Sequence, residues 1–74
     1  MKVRVLLFGF VAEAAGKSEV TVEAATAAAV LSGLRRRLDL PRSVRVAVNE
    51  EYADPKRKLH KGDVVSLIPP VAGG

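Results

Sequence analysis

The chain closes on Lys61-Gly62-Asp63-Val64-Val65-Ser66-Leu67-Ile68-Pro69-Pro70-Val71-Ala72-Gly73-Gly74, and the reading of this stretch decides the fold. Lys61-Gly62-Asp63 is a tight-turn sequence. It leads into a strand, Val64 to Ile68, rich in β-branched and aliphatic residues. Two prolines follow, which fix φ and remove two ladder donors, so pairing cannot continue past Ile68. Compact residues then run to two glycines and a carboxylate. Fully extended, the six residues from Pro69 to Gly74 reach about 20 Å. Without Cβ atoms, Gly73 and Gly74 can enter a passage too narrow for other residues. An untethered terminus is expected to be flexible. The organisation expected is therefore a folded domain over 1–68 and a flexible Gly-Gly tail over 69–74.

Working outward, Val3, Val5 and Leu7 alternate with Arg4, Leu6 and Phe8 at the two-residue period of a strand. That strand is apolar on both faces near its end, so it should lie centrally or expose an adhesive outer face. Gly9 to Gly16 reads as a loop or short helical turn, and Ser18 to Val22 as a second strand. Thr26 is a suitable N-cap. Behind it, Ala27, Val30, Leu31, Leu34 and Leu38 form one apolar stripe on a helix. Pro41 ends that helix through its restriction of the preceding residue. Val44, Val46 and Val48 mark a third strand, Asn49-Glu50-Glu51 a turn, and Tyr52-Ala53 a short edge strand. The order β-β-α-β-(β)-β predicts an α+β roll, with one helix packed on a mixed sheet.

Seventy-four residues allow a single small domain, with no room for a large enclosed active site. No cysteine is present, which excludes disulfides, thiolate metal sites and a thiol nucleophile, and fits a cytoplasmic protein. Met1-Lys2-Val3-Arg4-Val5 does not read as a signal peptide, and no stretch approaches the length of a membrane span, so neither is expected. The net charge of +4 gathers in Arg35-Arg36-Arg37 and in Lys56-Arg57-Lys58 with His60 and Lys61. These runs suit solvated surfaces. No aromatic stacking platform accompanies them, so nucleic-acid binding ranks last.

The catalytic inventory is thin. His60 is the only histidine, so no metal set can form around it from His and Cys. The serines lack a nucleophile-elbow context and a base, and Gly9 and Gly16 do not form a phosphate loop. The acidic side chains are scattered. No bound cofactor is expected, and the chemistry left is that of the terminal carboxylate.

The chain resembles the ubiquitin-like β-grasp sulfur carriers, and among them the MoaD family, the small subunit of molybdopterin synthase. The resemblance covers nearly the whole chain. It rests on Val3-Arg4-Val5-Leu6-Leu7-Phe8-Gly9 with Glu13 and Gly16, on Val46-Ala47-Val48-Asn49, and above all on the stretch from Gly62 to Gly74. The thiamine-pathway (ThiS) carriers also end in Gly-Gly but usually lack the Pro-Pro-Val approach. Many MoaD members carry Arg-Glu after the first strand, where this chain has Ala12-Glu13.

The resemblance implies that an E1-like adenylyltransferase of the MoeB type uses ATP to adenylate Gly74. The glycyl adenylate becomes a thiocarboxylate (a 1-thioglycine), and a large catalytic subunit of the MoaE type takes its sulfur into a pterin precursor for the molybdenum cofactor. A heterotetramer of two small and two large subunits is the family expectation. The small subunit is then not catalytic alone. Its site residues are Gly73 and Gly74 at the modified end, with Leu6, Phe8, Ile68, Pro69, Pro70, Val71 and Ala72 as the surface its partners grip. By strand parity Leu6, Phe8 and Ile68 face away from the helix, at the base of the tail. Two other readings stay open: a carrier for thiamine or another sulfur-containing product, and a protein modifier conjugated through Gly74.

Overall fold

Alternation along the first strand sets the architecture. In the computed structural model, which describes residues 1–69, β1 (Lys2–Leu7) buries Val3, Val5 and Leu7 and turns Lys2, Arg4 and Leu6 to the other face. It pairs antiparallel with β2 (Glu19–Glu23) on one side and parallel with β5 (Val64–Ile68) on the other. β3 (Arg45–Val48) and β4 (Glu51–Tyr52) extend the sheet beyond β5, giving the order β2-β1-β5-β3-β4. The strand that is apolar on both faces is thus interior to the sheet, with a partner on each edge.

Two helices cover one face. α2 (Ala27–Leu38) begins at Thr26, whose Oγ1 accepts the Ala29 amide at 3.2 Å. The amides of Ala27 and Ala28 donate to the carbonyls of Arg57 and Pro55 at 3.0 and 2.8 Å, so the loop before β5 is fastened to the start of the helix. Asp39 ends it in the left-handed region, φ 54°, with its amide on the Arg35 carbonyl. Arg35, Arg36 and Arg37 occupy the last turn, where cations favour the helix dipole.

The second helix, α1 (Gly9–Ala15), lies where the sequence indicates a loop or short helical turn, and it adds to the single helix expected on the sheet. It is seven residues long, has no side-chain N-cap, and closes on Gly16 at φ 73°. Its stability comes from packing: Val11 is wholly buried, and Ala12 and Ala15 lie against the core. The core is aliphatic, built around Val5, Val11, Val30, Val48, Val65 and Leu67 between sheet and helices. The result is the β-grasp roll expected from the sequence. Among the described residues, no helix is long and apolar enough to cross a membrane.

Candidate functional site

The face of the sheet that carries no helix is organised in rows by strand register. Glu19 pairs with Leu6, Leu6 with Ser66, Ser66 with Ala47, and Ala47 with Tyr52, so one row crosses all five strands. The middle of that row is small, Ser66 and Ala47, while Leu6 and Tyr52 stand on either side. A second row runs from Thr21 through Arg4 to Val64. At the far end Ile68 pairs with Arg45, and Phe8 emerges just past Leu7. Small residues flanked by larger ones leave a groove of about 780 Å³, with Leu6, Phe8 and Ile68 in its walls and Ala47 and Ser66 within it.

Three residues singled out from the sequence are thus brought together. Leu6 and Ile68 are half-buried, and Phe8 is 48% exposed. Pro69, also half-buried, stands at the end of β5. The remaining sequence candidates, Pro70, Val71, Ala72, Gly73 and Gly74, lie outside the described residues. Ala47, Ser66, Val64, Asn49, Glu50 and Tyr52 also line the groove and were not singled out. Parity carried the signal for Val64 and Ser66, which alternate with the buried Val65 and Leu67, and for Ala47, which lies between the core residues Val46 and Val48 but is itself buried on the opposite face. Nothing comparable marks Glu50 or Tyr52, whose placement depends on the hairpin geometry.

That hairpin is a two-residue loop, Asn49-Glu50, with φ 53° and 70°, between the paired residues Val48 and Glu51. Positive φ at both positions matches the right-handed twist of the strands, as in a type I′ turn. Asn49 ties the loop to β5. Its Nδ2 donates to Asp63 Oδ1 at 2.9 Å, and its Oδ1 accepts the Val64 amide at 3.0 Å. Asp63 Oδ2 accepts the His60 amide at 2.8 Å. These donors, the His60 amide first and the Asn49 side chain next, hold the Asp63 carboxyl below its ordinary 3.8. The fan of bonds fixes one end of the groove.

Charges on this face are in part paired with one another. Arg4 pairs with Glu19 at 2.9 Å, and the hydrogen bond from this guanidinium to the carboxylate raises the Arg4 pKa. Both side chains are exposed, so the pair contributes little to stability. Arg45 lies 5.8 Å from the centroid of the Tyr52 ring. Among the described residues no group of three or more His, Cys, Asp or Glu side chains could hold a metal. An apolar-walled groove beside the end of β5 can bind a partner.

A family model described as "ThiS family" matches residues 5–74. The chain is similar in structure to SAMP1 from Haloferax volcanii, at 28% identity and TM-score 0.81 over 100% of both chains. It is also similar to the putative molybdopterin converting factor, subunit 1, from Pyrococcus furiosus, at 27% identity and TM-score 0.81 over 96% of this chain and 99% of that one. A complex of subunits 1 and 2 of the molybdopterin-converting factor from Helicobacter pylori 26695 also contains a matching chain. There the identity is 27% and the TM-score 0.73, over 100% of both chains.

Proposed function

The chain belongs to the ThiS family, a group of ubiquitin-like sulfur carriers and modifiers, and from that premise we propose that it is the sulfur-carrying small subunit of a molybdopterin synthase. The observation that carries the reading is the extent of the family match, which runs to the last residue and includes Pro69-Pro70-Val71-Ala72-Gly73-Gly74. The similarity to molybdopterin converting factor subunit 1 from two organisms supports the molybdopterin assignment.

A carboxylate is a poor electrophile, so its oxygen must first become a leaving group. One Gly74 carboxylate oxygen attacks the α-phosphorus of ATP on an E1-like partner, and pyrophosphate departs. A sulfur nucleophile then attacks the acyl carbon of the adenylate, and AMP leaves with that oxygen. The thiocarboxylate remains, and a large catalytic subunit passes its sulfur to a pterin precursor. The chain holds no cysteine that could intercept the acyl adenylate from within. Leu6, Phe8 and Ile68 present the apolar surface that both partners grip, and Pro69 starts the tail beside it.

A second reading, a protein modifier joined to lysines through Gly74, draws on the whole-chain similarity to SAMP1, a small archaeal modifier protein. Co-purification from the native host separates the two. An N-terminally tagged chain should retain a pterin-binding large subunit and, detected by its tag on a denaturing gel, run as a single band. A ladder of higher-mass conjugates, with no large subunit retained, would overturn the synthase assignment in favour of the modifier.

A further inference from the structure

β1 and β5 run parallel with Leu7 opposite Leu67, so both chains leave the same end of the sheet side by side. Two residues further on, Gly9 and Pro69 meet. A Cβ built on Gly9 would lie 3.0 Å from Pro69 Cγ, closer than side-chain carbons ordinarily approach. The next nearest atoms beyond its chain neighbours and its own helix, among the described residues, are Cβ and Cδ of the same proline, at 3.9 and 4.0 Å. Gly9 also has φ 54°, in the left-handed region, where the chain turns from Phe8 on the groove into α1. Two independent features therefore call for glycine, and one of them is the proline ring.

We propose that Gly9 is a positioning residue for the tail: it seats the Pro69 ring and fixes where the chain leaves β5. A side chain at position 9 and the ring at position 69 would compete for one space. The conflict would move Pro69, because Gly9 is anchored in α1, whose Val11 is wholly buried. Displacing Pro69 moves the point from which the chain continues toward Gly74. The functional consequence rests on the proposed role of Gly74 as the acyl site. The seat itself does not.

The test is a double-mutant cycle on the full chain with Gly9→Ala, Pro69→Ala and the pair. Backbone strain from Gly9→Ala is common to both backgrounds and cancels. Pro69→Ala removes Cγ and Cδ and leaves only Cβ, at an ordinary 3.9 Å. Nuclear magnetic resonance of the wild-type chain should give an Overhauser contact between Gly9 Hα and the Pro69 ring protons. Gly9→Ala should shift the amide resonances of Val71 to Gly74, and most of that shift should be absent when Gly9→Ala is made in the Pro69→Ala background. In Gly74 adenylation by an E1-like enzyme, Gly9→Ala should raise KM at unchanged kcat. The rise should be about three-fold or more larger with proline at 69 than with alanine.

A missing Overhauser contact, or tail resonances indifferent to Gly9→Ala, would overturn the seat. Equal rises in KM in both backgrounds would overturn its functional role, since strain alone would then explain the loss. If wild-type protein is never adenylated, the proposed function fails, and the resonance measurements still decide the seat.

Discussion

Glu50 occupies a backbone conformation that costs a non-glycine residue free energy, and its side chain stands on the groove. Replacing it with glycine should therefore strengthen the fold and weaken the partner complex. At φ 70° an L-residue carries a penalty of about 1–2 kcal/mol. Glycine relieves that penalty but loses about 0.5–1 kcal/mol more backbone entropy on folding. The net expectation for Glu50→Gly is a gain of about 0.5–1 kcal/mol. For a domain of this size that corresponds to a rise in Tm of about 2–8 °C. Asn49 supplies the internal control. It sits at φ 53° in the same turn, yet its side chain bonds Asp63 and the Val64 amide. Asparagine tolerates this region better than glutamate, so Asn49→Gly should lose about 1 kcal/mol of hydrogen bonding with little strain to recover. Thermal unfolding followed by circular dichroism reads both signs, and calorimetric titration with the large subunit reads the affinity. A lower Tm for Glu50→Gly, or an equal rise for Asn49→Gly, would refute the strain argument. Unchanged affinity would mean the Glu50 side chain lies outside the interface.

Other outcomes follow from the same packing and charge. Asp63 has a folded pKa below its ordinary 3.8, so its stabilising effect is complete above that value and is lost as pH falls through the folded pKa. Urea midpoints should show wild type more stable than Asp63→Asn at pH 7 and the gap closing in acid; a gap that widens on acidification contradicts the assigned sign. Leu67→Ala, at a position with no exposed surface, should cost about 2–5 kcal/mol, enough to leave a small domain largely unfolded at 37 °C. Retention of the wild-type urea midpoint would mean the core is not centred there. Thr26→Ala should cost about 1 kcal/mol by removing the cap on the Ala29 amide, and the same urea titration measures it.

How legible the molecule was in its sequence depended on how local each cause was. β5 was read with its observed bounds, because a Gly-Asp turn and a proline frame it on either side. The α2 stripe and its Thr26 cap were likewise visible, since both are patterns within one element. α1 shows in the sequence only as a loop or short helical turn, because it has no polar cap, is two turns long, and is held by Val11 meeting residues distant in sequence. β4 pairs through Glu51 and Tyr52, one residue earlier than the reading, because the turn is Asn49-Glu50 and glutamate does not announce a positive φ. Ala53, assigned to that strand, instead packs against the core. At the site, period-two alternation placed Leu6, Phe8 and Ile68 on the outer face. The depression between them required the cross-strand register that sets Ala47 beside Ser66, and single-strand periodicity carries no register. In the sequence Gly9 stands as the start of a loop or short helical turn and the end of the motif that begins at Val3, with nothing to tie it to the tail. Its neighbour Pro69 lies sixty positions away in sequence, brought alongside by the parallel pairing of β1 with β5.

The central claim is that Gly74 is the acyl site, and intact-mass spectrometry with fragmentation of protein from its native host tests it most directly. A population with one oxygen exchanged for sulfur, localised to Gly74, is the predicted result, and the chain lacking Gly74 should show none. A terminus that is never sulfurated, or sulfur carried at any other residue, contradicts it.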